Sequence, residues 1–145
     1  MKSNATKKKI TIQEPTNQNF VVFAIVSAQA DYYLAWNIND VLSLDLRKAE
    51  HPVLKNKIFS GNHVSYFNYL CKKTNIEYSF ICNKYGELRL IPQLYDIDFI
   101  LKVSGILTNE QINGIVSAIR TVKEITACMN LTVKKTPLFK AFERI

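Results

Sequence analysis

An α+β domain is predicted by three observations. The hydrophobic period switches between two and 3.6 along the chain, two stretches long enough for helices carry their own start signals, and the segments between them alternate over hairpin lengths. The expected architecture is an antiparallel or mixed sheet of about five strands with two long helices on one face, in the order β-α-β-β-β-β-α. The chain has 145 residues, sized for one domain, and its 48% hydrophobic content with eight Phe, seven Tyr and one Trp supplies a core. Residues 1–18 read as a basic, flexible tail, 19–133 as the domain, and 134–145 as a basic segment.

Residues 20–27, FVVFAIVS, form a β-branched and aromatic run too short for a helix and suited to a central strand covered on both faces. The period then changes. Leu34, Ile38, Val41 and Leu42 share one helical face. Ser27 is placed to cap the start, Asp31 suits the positive end of the dipole, and Arg47 and Lys48 suit the negative end. This predicts a helix over 31–48, closed by His51-Pro52. Tyr32, Tyr33 and Trp36 flank its apolar stripe at the spacing of core-edge packing. A connection this long also permits one parallel strand neighbour.

From 58 to 85 the alternation is of strands. Val64, Tyr66, Asn68 and Leu70 oppose Ile76, Tyr78, Phe80 and Cys82 across a turn at 72–75, an antiparallel hairpin. Asn83 and Gly86 mark a second turn that feeds a short strand over 88–91. The aromatics on these strands fit cross-strand packing better than stacking on RNA bases, because the RNP1 pattern is absent. The second helix is predicted over 108–129. Thr108 and Gln111 match a capping box, and Ile112, Ile115, Ile119, Val122 and Met129 mark the buried stripe. Leu138, Phe139 and Phe142 give the last segment apolar side chains with which to dock.

The formal charge of +7 is concentrated at the ends: residues 1–9 carry +4, residues 134–145 carry +3, and the body between them is neutral. A basic tail adds salt-sensitive phosphate affinity or simply solubilises a terminus. The three cysteines form no CxxC and have no histidine at ligand spacing, so zinc has no support. Cys71 and Cys82 fall about six residues apart along the hairpin, roughly 20 Å and beyond the ~7 Å Cα limit of a disulfide. Reduced thiols fit a cytoplasmic location. Lys7 to Lys9, the apolar 20–26 and Ala28-Gln29-Ala30 mimic an export signal, but the polar spacer with Glu14 and Pro15 separates the charges from the apolar run. No apolar stretch approaches the ~20 residues needed to span a bilayer.

One stretch, LRLIPQLYDIDFILKVSG at 88–105, sets a proline and two aspartates inside apolar sequence. Pro92 must end, edge or bend the strand before it. Beyond it, Tyr95, Ile97, Phe99, Leu101 and Val103 are expected on one strand face, and Leu94, Asp96, Asp98, Ile100 and Lys102 on the other. As same-face neighbours roughly 6.6 to 7 Å apart, Asp96 and Asp98 have the separation of an acid/base pair. No histidine or third carboxylate accompanies them in sequence, so they are read as the wet face of a strand, with Asp98 also placed to accept an amide freed by the proline bend.

The run Ile91-Pro92-Gln93-Leu94-Tyr95-Asp96-Ile97-Asp98-Phe99 resembles the signature of the bacterial IPExxxVDY proteins. Ile91, Pro92 and Asp98 match, whereas Gln93, Ile97 and Phe99 replace the signature glutamate, valine and tyrosine. Residues 31–39, DYYLAWNIN, are similar to the early helix of that family. The resemblance implies a cytoplasmic bacterial protein and supplies no catalytic residues to carry over. The functional expectation is therefore a non-enzymatic accessory or protein-interaction module, binding a protein partner or a second copy of itself, with no cofactor, metal, membrane or small-molecule substrate. Lys7, Lys8, Lys9, Lys134, Lys135, Phe139 and Phe142 are the candidate interaction residues. The alternative is RNA association through the basic termini.

Overall fold

In a computed structural model, residues 20–52, 54, 58–59, 62–131 and 137–145 are described. β1 (Phe20–Val26) leads to α1 (Asp31–Leu42) and the short β2 (Arg47–Lys48). A small ribbon, β3 (Ile58–Phe59) with β4 (Asn62–His63), precedes the hairpin of β5 (Tyr66–Cys71) and β6 (Ile76–Cys82). A second ribbon, β7 (Lys84–Tyr85) with β8 (Leu88–Arg89), leads through a 3-10 turn at Pro92–Leu94 to β9 (Phe99–Ser104). α2 (Asn109–Arg120), β10 (Ala127–Leu131) and α3 (Pro137–Arg144) complete the order. The main sheet has six strands, β10-β1-β9-β6-β5-β2. Every pairing in it is antiparallel, so the parallel neighbour allowed after β1 is not used.

The fold is α+β, with α1 and α2 packed together on one face. Phe23, Ile25, Phe80, Phe99, Leu101 and Val103 meet Leu34, Ile38, Ile115 and Ile119 there. The opposite face is also covered. Val22, Tyr66, Ile81 and Ile100 pack with Leu54, Val64, Ile91, Phe142 and Ile145. β1 and β9 thus bury both faces, which is why their sequences read as continuous apolar runs.

Both long helices are shorter than the periodicity implies. α1 stops at Leu42 because Ser43 turns left-handed at φ 56°. The Asn39 carboxamide then grips Leu46, donating to its carbonyl at 3.1 Å and accepting its amide at 2.7 Å. Arg47 and Lys48 therefore lie on an edge strand rather than on the last helical turn. Ser27 does not cap α1, since Ala30 holds the N-cap position. The Ser27 hydroxyl instead donates to the Glu124 carbonyl at 2.8 Å and accepts the Gln29 amide at 3.2 Å.

The capping box at Thr108 and Gln111 is present, with both reciprocal bonds made. α2 ends at Arg120, where successive i→i+3 bonds from Thr121 and Val122 tighten the chain and the Thr121 hydroxyl takes the Ala118 carbonyl at 2.6 Å. Residues 127–131 then pair with β1 in place of a further helical turn. The exchange buries Cys128 and turns Met129 outward. An extended chain there covers a backbone edge of β1 that a longer helix would leave unpaired.

The second core also holds His51. Its Nδ1 accepts the Leu54 amide at 3.0 Å, its ring meets Tyr66 edge-on at 4.7 Å, and the Ile145 backbone bonds it from α3's end. Burial lowers its pKa from 6.5, assisted by the Lys102 charge. Above pH 6.5 neither the folded nor the unfolded chain carries this proton, and the site's contribution is complete. As the pH falls through 6.5, the unfolded chain accepts a proton that the folded one refuses, so stability declines toward the lower folded pKa. Urea midpoints measured across this range should fall for the wild type and fall less steeply for His51→Gln. Equal slopes would assign the loss to other groups.

Candidate functional site

A polar cleft of about 410 Å³ opens where β1 hands over to α1, lined by Ser27, Asp31, Cys82, Lys84, Asp98 and Phe99 among others. Asp98 stands just before β9, and one carboxylate oxygen accepts the Ser27 amide at 2.9 Å. The other lies 3.3 Å from the Lys84 ammonium. Asp31, in the first turn of α1, accepts the Ser65 hydroxyl and, at 2.7 Å, the Tyr32 amide. Ser65 is held in turn by the Tyr85 hydroxyl, which accepts its amide at 2.8 Å. Burial pushes the Tyr85 phenol and the Cys82 thiol up, and the thiol donates to the Lys84 carbonyl at 3.3 Å. Both carboxylates are engaged by amides or hydroxyls, and the thiol is held in its weakly nucleophilic form.

Asp96 and Asp98 do not share a strand face. Pro92 starts a 3-10 turn, and β9 begins only at Phe99, so the expected alternation holds from Phe99 to Val103 and fails before it. Asp96 is exposed and lies outside the cleft. Asp98 bonds an amide far away in the chain, at Ser27, rather than one freed by the proline. Ile91 is buried, and its amide donates to the Asn83 side chain at 2.8 Å. Among the described residues no three His, Cys, Asp or Glu side chains converge as metal ligands.

The second feature is the outer face of α1. Its buried stripe is Leu34, Ala35 and Ile38, so the aromatics expected at the core edge point away: Tyr32 is 70% and Trp36 72% exposed. The 100° helical step is the reason, since residues 32 and 36 fall opposite the stripe. Tyr33 is only half-buried, with its hydroxyl donating to the Glu124 carboxylate at 3.2 Å. Asn37 donates from Nδ2 to the Tyr33 carbonyl at 2.8 Å. Tyr33, Trp36, Asn37 and Asp40, all on α1, line an open hollow of about 290 Å³.

The remaining sequence candidates separate. Phe142 is corrected from an interaction residue to a core residue, because α3 carries it to 0% exposure against the second face. Lys7, Lys8, Lys9, Lys134 and Lys135 lie outside the described residues, as does the side chain of Phe139. All three cysteines are free thiols. Hydrogen bonds from Thr74 at the hairpin turn bring the Cys71 thiol down to about 7, whereas burial pushes Cys128 up to about 11. Iodoacetamide at neutral pH should therefore alkylate Cys71 about tenfold or more faster than Cys82 or Cys128, as read by peptide mass mapping. Comparable rates would contradict this ordering.

Among the described residues no helix is long and apolar enough to cross a membrane. Comparison of the chain with protein-family models, curated proteins and solved structures returns no match.

Proposed function

We propose that this chain is a non-enzymatic cytoplasmic accessory protein that docks a protein partner on the outer face of α1. The supporting observation is the exposure of Trp36 beside Tyr32, one helical turn apart. Trp and Tyr are the side chains that most often dominate binding energy at interfaces, because each removes a large rigid area from water on contact. The ionisable groups of the polar cleft serve the fold instead: Asp98 fastens β9 to the end of β1, and Asp31 joins α1 to the segment before β5. We also place the chain with the bacterial IPExxxVDY proteins, on the resemblance of residues 91–99. The matching positions have structural work, since Ile91 fills the second core, Pro92 opens the 3-10 turn and Asp98 accepts the Ser27 amide.

Affinity capture from native lysate, run with and without nuclease, compares the wild type with the Tyr32→Ala, Trp36→Ala double variant. The expected result is a protein retained by the wild type and reduced at least about tenfold by the variant, with unchanged urea midpoints. Equal capture by both forms refutes docking on α1. Capture that vanishes with nuclease assigns the chain to RNA through its basic ends instead.

A further inference from the structure

We infer that the hollow on α1 receives a lysine or arginine side chain from a basic segment of the partner protein, an assignment that rests on the docking reading above. The polar atoms around the hollow select for donors. Asp40 brings a carboxylate with no ion-pair partner among the described residues. Asn37 spends its Nδ2 on the Tyr33 carbonyl, which leaves Oδ1 as its free acceptor. The Tyr33 hydroxyl gives its proton to Glu124, so its oxygen too can only accept. Beside the Trp36 indole N–H and the second N–H of the Asn37 amide, the hollow presents three acceptors, one of them a full negative charge. Ammonium and guanidinium groups bring several donors, no acceptor and the charge that answers the carboxylate.

Charge leads to the same ligand. α1 holds Asp31 and Asp40 but no Lys or Arg, and its last turn lacks the basic residue that would offset the negative end of the helix dipole. A cation at Asp40 meets both the carboxylate and that pole. The exposed indole of Trp36 offers the aromatic face most favourable to a cation, and the one-turn spacing to Asp40 sets ring and carboxylate side by side.

Trp36 is the only tryptophan in the chain, so its fluorescence reports this site alone. The full-length protein is titrated with acetylated Gly-Arg-Gly-Arg-Gly amide, its lysine and glutamate counterparts, and an apolar valine counterpart. The arginine and lysine peptides should shift the emission saturably and reduce acrylamide quenching, with an effect that fades as salt rises. Asp40→Asn should weaken this response about tenfold. An equal response to the valine peptide, or no response to any peptide while Trp36-dependent capture persists, overturns the cationic ligand and leaves docking on α1 intact. Loss of that capture as well removes both. If quenching of Trp36 rises when Lys7, Lys8 and Lys9 are all changed to serine, the chain's own tail fills the hollow and the partner assignment is overturned.

Discussion

Asn83→Ala should lower the unfolding free energy by about 3–5 kcal/mol, far more than an asparagine in a turn ordinarily contributes. Asn83 is fully buried. Its Nδ2 donates to the carbonyls of Leu94 and Ile97, both at 2.9 Å, and its Oδ1 accepts the Ile91 amide at 2.8 Å. Its backbone adds a donation to the Asp98 carbonyl at 2.9 Å and an acceptance from Leu90 at 2.7 Å. Alanine keeps the backbone bonds but orphans the Ile91 amide and the Ile97 carbonyl, and leaves the Leu94 carbonyl with the Ile97 amide alone. Each buried orphan costs roughly 1–3 kcal/mol, partly relieved where water enters. Asn83→Asp should do no better, because a carboxylate cannot donate to Leu94 and Ile97. Urea unfolding measures the loss, and hydrogen exchange at Ile91 locates it. A loss below about 1 kcal/mol would mean that the turn is held by its apolar contacts instead.

Phe142→Ala should cost about 3–5 kcal/mol and loosen α3 from the sheet. The ring is among the largest fully buried side chains, set against Val22, Ile81 and Ile100 of the sheet and the buried Ile91. The polar contacts at this end all involve Ile145: Lys102 Nζ donates to its carbonyl at 3.2 Å, His51 bonds its backbone, and its amide reaches the Phe142 carbonyl at 3.3 Å. Phe142→Leu, which keeps most of the apolar volume, should recover all but about 1.5 kcal/mol. Hydrogen exchange should show the Ile145 amide deprotected in the alanine variant while β6 and β9 stay protected. Uniform deprotection of the sheet would mean instead that α3 and the sheet unfold as one unit.

Legibility in the sequence followed periodicity. The β5–β6 hairpin, β1 and the Thr108 capping box were readable because their signals are local: alternation, a β-branched run, and a hydroxyl three residues before a glutamine. Helix ends were not. Nothing in the apolar spacing separates a helix continuing past Arg120 from a strand at 127–131, because the pairing that decides it lies with β1, a hundred residues earlier. Asn39 and Asn83 likewise look like ordinary polar positions until their distant carbonyl and amide partners are known. In the candidate site, the aromatics of α1 are visible in the sequence, where their spacing fits packing at the core edge. The helical angle of residues 32 and 36 opposite the stripe was the available signal, outweighed by the usual burial of such rings. The Asp98 reading failed in its partner for the same reason as the helix ends, since the Ser27 amide lies 71 positions away.

The two-sided cover of the sheet bears on how the chain leaves the ribosome. β1, β5, β6 and β9 are all translated before Phe142 and Ile145, so the nascent sheet carries an oily surface until its last cover arrives. Chains halted shortly before residue 137 would keep the cover of Leu54, Val64 and Ile91 but emerge with the share of that surface under Phe142 and Ile145 bare. Quality control of such truncated products, by chaperone retention or proteolysis, therefore turns on a helix of only eight residues.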